Sequence, residues 1–324
     1  MRKALLALAG LSSVGAGLVL AAAVQWALAG VALGIGALIL AGVALRGRRG
    51  VAALGAAAAI ATALVALRVA TVEAGWLVCE NERCSRGGPW WSRVLPEPAC
   101  LQAGLVLTRL ARITTAAESE SYARAFAAPF RAGGDPPNAL VLFSTASTLR
   151  RLVLEPPGTD TRPCIVFLHG FGGLSSSYLM AMRDPLPEVI VVAPALDVAA
   201  RWDGALGHSV VERTLASLPA RADRRRLYLV GLSNGAILGA RYAGLFRGAL
   251  LLSGVGETAG GRVRVISGAA DRRIPAGDVR RAVSELRARG VDASAELVDG
   301  ADHGLVLTHA ALWTERLARL LAQD

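Results

Sequence analysis

Arg226-Leu227-Tyr228-Leu229-Val230-Gly231-Leu232-Ser233-Asn234-Gly235-Ala236-Ile237 is the stretch on which the reading of this chain turns. An apolar, strand-like run from Leu227 to Val230 passes through G-x-S-x-G into an alanine- and glycine-rich helical pattern. In a strand-turn-helix context this pentapeptide is a sharp turn that lifts the serine hydroxyl above the sheet. Gly231 and Gly235 are needed because strand and helix backbones approach too closely there for side chains. The stretch therefore predicts a nucleophile at Ser233, and it requires a base, an acid and donors for an oxyanion elsewhere in the chain.

Working outward, the other apolar runs end in residues of that kind. Pro163 to Leu168 reads as a buried strand and runs into His169-Gly170-Phe171-Gly172-Gly173. A glycine-rich turn of this type presents a backbone N–H, so the amides of Phe171 and of Asn234 are the expected oxyanion donors, with His169 and Gly170 as structural residues of the turn. Val263 to Ile266 leads to Asp271, the expected acid, ahead of Asp278 and Asp299 as weaker alternatives. Ala295 to Val298 leads to Asp299-Gly300-Ala301-Asp302-His303-Gly304 and so to His303, the expected base. Of the other histidines, His208 precedes the serine and His309 falls in the final helix. Ser233, Asp271 and His303 follow one another in the chain order that this architecture uses. Arg272 and Arg273, beside the acid, read as a solvated loop, or alternatively as a preference for an anionic substrate group.

Further strands are expected at Ala139 to Phe143, Arg150 to Glu155, Val189 to Ala193 and Ala249 to Leu252. Helical segments are expected at 208–219, 235–245, 277–289 and 308–322. Alternating strands and helices imply a mostly parallel sheet covered on both faces, with its site beyond the carboxyl ends of the strands. The breaker cluster Gly133-Gly134-Asp135-Pro136-Pro137-Asn138 sets the expected start of this unit at residue 139. Residues 76–98 read as irregular, with Trp76, Trp90 and Trp91 either at a lipid interface or packed on the globular part. Helices are expected from Ala99 to about Ala117 and again from Ser119, the second limited by Pro129. Its Tyr122, Phe126 and Phe130 share one face and read as packing.

The N-terminal part differs in composition. No charged residue occurs from Ala4 to Leu45, which fits two membrane spans of about 20 residues, and Val51 to Leu67 is a third, alanine-rich candidate. Arg2, Lys3, Arg46, Arg48 and Arg49 then belong on the cytoplasmic side. With three spans, everything after residue 75 faces outward across the cytoplasmic membrane. The domain reading is 1–75 as a transmembrane anchor, 76–138 as a juxtamembrane segment with two helices, and 139–324 as the catalytic unit. Much of the net charge of +10 serves membrane orientation, and the scattered remaining arginines argue against nucleic-acid binding. Cys79, Cys84 and Cys100 crowd where an exported chain meets an oxidising environment, so a disulfide among them is expected, with the pairing open. Cys164 reads as a buried thiol. No histidine lies near enough to the cysteines to complete a zinc site.

From about residue 139 onward, "YLVGLSNGA", "FLHGFGG", "SGAADRRIP" and "DGADHG" resemble the α/β-hydrolase superfamily, in its esterase, polyhydroxyalkanoate-depolymerase or feruloyl-esterase branch. Ala236 departs from relatives that carry a second glycine at that position. The resemblance implies an α/β-hydrolase fold and a Ser-His-Asp hydrolase that cleaves a small-molecule or polymeric ester through an acyl-enzyme, without a cofactor. A serine peptidase or an acyltransferase on the same triad, or a non-catalytic binding module of the same shape, are the alternatives. The implied partners are an ester substrate and the lipid bilayer.

Overall fold

A computed structural model describes residues 76–86, 97–133, 143–171, 176–197, 200–258 and 260–323. The three expected membrane spans lie outside these residues. Among the described residues no helix is long and apolar enough to cross a membrane.

The sheet has nine strands: β1 (Leu77–Glu80), β2 (Arg83–Arg86), β3 (Arg150–Leu154), β4 (Arg162–Leu168), β5 (Ile190–Pro194), β6 (Ala222–Leu232), β7 (Gly248–Leu252), β8 (Arg262–Gly268) and β9 (Asp292–Val298). Their order across the sheet is β2-β1-β3-β5-β4-β6-β7-β8-β9. From β5 to β9 every neighbouring pair is parallel, while β1, β2 and β3 form an antiparallel margin. The helices are α1 (Glu97–Leu110), α2 (Ala116–Gly133), α3 (Ser176–Arg183), α4 (Ala205–Ala216), α5 (Asn234–Ile237), α6 (Ala276–Ala288), α7 (Leu305–Thr308) and α8 (Ala310–Ala322), with a 3-10 turn at Ala240–Leu245. This mostly parallel sheet with helices is consistent with the α/β-hydrolase fold.

Side chains of a strand point alternately to its two faces, and here both faces are dry. Ile165 and Phe167 of β4 and Tyr228 and Val230 of β6 join one core, with Tyr178 and Leu179 of α3 and Trp313 and Leu317 of α8. Cys164, Val166 and Leu168 of β4 and Leu229 of β6 join the other, with Val210 of α4 and Val279 and Val283 of α6. Such two-sided burial explains why these strands read as continuous apolar runs. The strand order turns back around β4, with β5 on one side and β6 on the other. Leu168 and Gly231 are paired in register, so the β4 and β6 exit loops leave side by side at the switch point.

The expected boundary at 139 does not divide this fold. β1 pairs with β3 along its whole length, and Trp76, Val78, Leu101 and Tyr122 lie in the same core as β4 and β6. Residues 77–80 and 83–86 are strands, not the irregular segment that was expected, and Trp76 is buried against the domain. The expected strand over 139–143 falls largely outside the described residues, as do Trp90 and Trp91. α2 runs through Pro129 to Gly133, past the limit that proline was expected to set. The expected helix over 235–245 is interrupted after Ile237, and the helix over 308–322 is divided at His309, the residue before α8.

Cys79 and Cys84, directly opposite each other on β1 and β2, form a disulfide. Cys164 is a buried free thiol, and the side chain of Cys100 lies outside the described part.

Candidate active site

Ser233 stands between β6 and α5 with φ 49° and ψ −113°, a left-handed conformation unusual for a residue with a side chain. The surroundings hold this strain. Its N–H donates to the Leu252 carbonyl at 2.9 Å, and its own carbonyl accepts from the Ala236 and Ile237 amides at 2.9 and 2.8 Å. A Cβ at Gly231 would meet the Gly235 carbonyl oxygen at 2.5 Å, and one at Gly235 would meet the Leu168 oxygen at 2.0 Å. The two glycines thus allow the elbow to press against the end of β4.

His303 lies in the loop between β9 and α7. Its Nε2 is 3.1 Å from Ser233 Oγ, and its Nδ1 is 2.8 Å from Asp271 Oδ2. The second carboxylate oxygen, Oδ1, accepts from the amides of Arg273 and Ile274 at 2.8 and 3.0 Å. Burial raises the Asp271 carboxyl, while the bonds from His303, Ile274 and Arg273 more than offset this and hold it below the usual carboxylate range. A carboxylate with one oxygen fixed by backbone donors and the other turned to an imidazole keeps Nδ1 protonated, which leaves Nε2 free to accept the serine proton.

The expected oxyanion donors are Phe171 and Asn234. A Cβ at Gly170 would lie 3.2 Å from Ser233 Cβ, so the β4 exit loop runs directly beside the serine. Asn234 opens α5, where the first amides have no intrahelical acceptor. Among the described residues neither amide has an acceptor. Gly172 and Gly173 lie outside the described residues.

His169 is buried and is not placed as a base. Its Nδ1 donates to the Gly170 carbonyl at 2.8 Å, and its Nε2 accepts from the Leu196 amide at 2.9 Å, a pairing that requires the neutral ring. Burial pushes its pKa down to about 4. The unfolded chain protonates this ring near the ordinary value of 6.5 and the folded one only near 4, so the folded state binds fewer protons in between. Stability from this source is complete above pH 6.5 and is lost as the pH falls to about 4, a difference of about 3 kcal/mol. Asp271, whose pKa is depressed, adds a second loss at still lower pH. Thermal unfolding followed from pH 7 to 4 is expected to show a falling Tm in the wild type. In His169→Gln the midpoint is expected to be lower at pH 7 and its pH dependence across that window shallower; an equal slope in both proteins would remove His169 as the cause.

Two contacts around the base and one at the start of α3 escape sequence reading. Ser253, with φ 51° at the end of β7, donates from Oγ to the His303 carbonyl at 3.1 Å. Tyr122 of α2 donates from its hydroxyl to Asp302 Oδ1 at 3.2 Å, and its ring occupies the space that a Cβ on Gly304 would need. Glu97 of α1 is fully buried and accepts from the Ser176 and Ser177 amides at the start of α3. Only the strand-end position of Ser253 could have drawn attention; the other two join residues far apart in the chain. The weaker acid alternatives lie elsewhere, Asp278 in an ion pair with Arg281 in the first turn of α6. His208 faces the Tyr242 hydroxyl, and His309 faces Thr308. Among the described residues no cluster of histidine, cysteine and acidic side chains is suited to a metal ion.

No family model and no curated protein matches the sequence. Among solved structures the chain is similar to esterase 2 of Thermogutta terrifontis phosphoramylated by tabun, with 14% identity over 54% of this chain and 89% of that one and a TM-score of 0.45. It is also similar to a thermostable esterase (19% identity, 53% and 60% covered, TM-score 0.43) and to esterase PE8 (22% identity, 52% and 97% covered, TM-score 0.42).

Proposed function

We propose that the chain is a serine hydrolase that cleaves carboxylic esters, small or polymeric, through an acyl-enzyme. The observation that carries this reading is the unbroken line of contacts from Asp271 through His303 to Ser233, assembled from the ends of three different strands. His303 Nε2 takes the hydroxyl proton as Ser233 Oγ attacks the ester carbonyl. The amides of Phe171 and Asn234 hold the resulting oxyanion. As the intermediate collapses, His303 returns the proton to the leaving alcohol and the acyl group stays on Ser233. Water then attacks with His303 again as base, which frees the acid and restores the serine.

A fluorophosphonate probe tests the assignment. The wild type is expected to be labelled and Ser233→Ala not, and kcat on p-nitrophenyl esters of graded acyl length is expected to fall by about 10⁴-fold to 10⁶-fold in the variant. Equal labelling of both proteins, or of neither, would sink the assignment.

The same reading anchors the enzyme in the cytoplasmic membrane through residues 1–75, with the catalytic domain on the external side. The Cys79–Cys84 disulfide supports that side, because cytosolic thiols are kept reduced. A reporter fused after residue 75 should be active only outside the cytoplasm.

A further inference from the structure

Five large apolar side chains stand out as exposed among the described residues, and two of them, Phe171 and Ile113, sit on segments tied to the candidate active site. Phe171, 74% exposed, is in the β4 exit loop beside Ser233. Val106 and Leu110, 59% and 74% exposed, lie one turn apart at the end of α1, and Ile113, 56% exposed, follows in the turn after it; these three make an exposed apolar ridge.

This ridge is held rigidly against the catalytic loops. The Thr108 carbonyl accepts from the Ile113 and Thr114 amides, and the Thr108, Thr114 and Ser119 hydroxyls form a chain at 3.1 and 3.0 Å. Thr115 and Glu118 cap α2 reciprocally, the Thr115 amide donating to the Glu118 carboxylate and the Glu118 amide to the Thr115 hydroxyl. Arg273, whose amide holds the Asp271 carboxylate, donates from its guanidinium to the Ile113 carbonyl at 3.3 Å. On the other side, Tyr122 of α2 reaches Asp302 beside the base. These bonds tie the segment bearing the ridge to the loops that carry Asp271 and His303.

Its surroundings are basic. Arg109 and Arg112 flank the ridge, and Arg272 and Arg273 are exposed on the adjoining loop, with Glu118 as the nearby carboxylate. Apolar side chains among arginines suit a surface of acyl chains beneath anionic headgroups. They do not suit a second copy of this chain, because a two-fold contact would set these arginines against one another. The uncharged run Val51 to Leu67 also ends only nine residues before Trp76, where the buried core begins. If that run spans the bilayer, the domain stands within roughly 30 Å of the lipid.

We propose that Val106, Leu110 and Ile113, with Arg109 and Arg112, rest on the anionic face of the bilayer that anchors the chain, and that the site takes its esters from that lipid phase. The substrate half of this inference rests on the hydrolase reading given above, and the docking half on the membrane-anchor reading. The ridge turns the site towards the membrane, so a lipid-dissolved acyl ester reaches Ser233 without crossing water.

The test uses the full chain reconstituted in vesicles of phosphatidylcholine alone or with added phosphatidylglycerol. An environment-sensitive fluorophore on Leu110→Cys, in a Cys100→Ser background, should be quenched by brominated lipid in the anionic vesicles. The quenching should weaken in the neutral ones and in Arg109→Gln/Arg112→Gln. Separately, Val106→Gln/Leu110→Gln should lower the rate on a vesicle-dissolved long-chain ester by about tenfold and leave the rate on a water-soluble short ester unchanged. A label unquenched in both vesicle types, or shielded only as protein concentration rises, would overturn the docking. Equal loss on both esters would overturn the substrate half. Quenching without hydrolysis of either ester would uphold docking and defeat the hydrolase reading.

Discussion

Asp271→Asn is expected to lower kcat by about 10⁴-fold while KM and the unfolding midpoint change little. The geometry specifies the reason. Asp271 Oδ1 accepts two backbone amides, from Arg273 and Ile274, so an asparagine must place its carbonyl oxygen there. Its NH₂ group is then forced towards His303 Nδ1, 2.8 Å from the oxygen it replaces. An imidazole facing a donor at Nδ1 carries its proton on Nε2, which points at Ser233 Oγ 3.1 Å away. In that tautomer the ring cannot accept the serine proton. Steady-state kinetics on a soluble ester together with fluorophosphonate labelling rates should show the loss. A variant within tenfold of wild type would mean that the contact does not set the tautomer of the base.

The second large effect is on stability. Gly235→Ala places a methyl group 2.0 Å from the Leu168 carbonyl oxygen and 2.6 Å from its carbon, both backbone atoms at the end of β4. No rotamer change relieves a clash between a Cβ and a main chain, so β4 and the elbow must separate. We expect a loss of about 3 kcal/mol or more, with the Phe171 loop displaced from Ser233 and activity reduced accordingly. Gly277→Ala is the control. Nothing lies within 4 Å of its added methyl, and it sits in the first turn of α6, so the change should be neutral or stabilising by up to about 1 kcal/mol. Unfolding midpoints of the three proteins in one detergent check this, and similar midpoints for the two variants would refute the close-packing account of the elbow.

What could be read from the sequence was local in origin. G-x-S-x-G, the turn after β4 and the loops bearing Asp271 and His303 each follow an apolar run, and in a parallel sheet every strand end points to the same edge. Chain order and strand periodicity therefore bring Ser233, Asp271 and His303 together before any coordinates are known. β1 and β2 escaped because four-residue strands with Cys79, Glu80, Arg83 and Arg86 carry little apolar alternation. β1 is fixed by pairing with β3, some seventy residues later, and β2 pairs in turn with β1. The bond between Tyr122 and Asp302, 180 residues apart, has no sequence signal of any kind. The helix expected over 235–245 is broken into a short helix and a 3-10 turn where Gly235 and Gly239 approach Leu168 closely, a contact that helix periodicity does not convey.

The pairing of β1 with β3 also decides where an autonomous folding unit can begin. A fragment starting at residue 139, the boundary that composition suggests, would keep Ser233, Asp271 and His303, yet it would lack the strand that covers the edge of β3. Arg151 would lose the Asn81 carbonyl at 2.7 Å, and Leu149 would lose the Asn81 side chain at 2.8 Å. An unpaired, largely buried strand edge is a template for association between chains. Such a fragment should therefore aggregate where one starting just ahead of Trp76 stays monodisperse. During synthesis the ribosome must likewise release β3 before β1 has a neighbour other than β2, which makes closure of this margin a long-range event in folding.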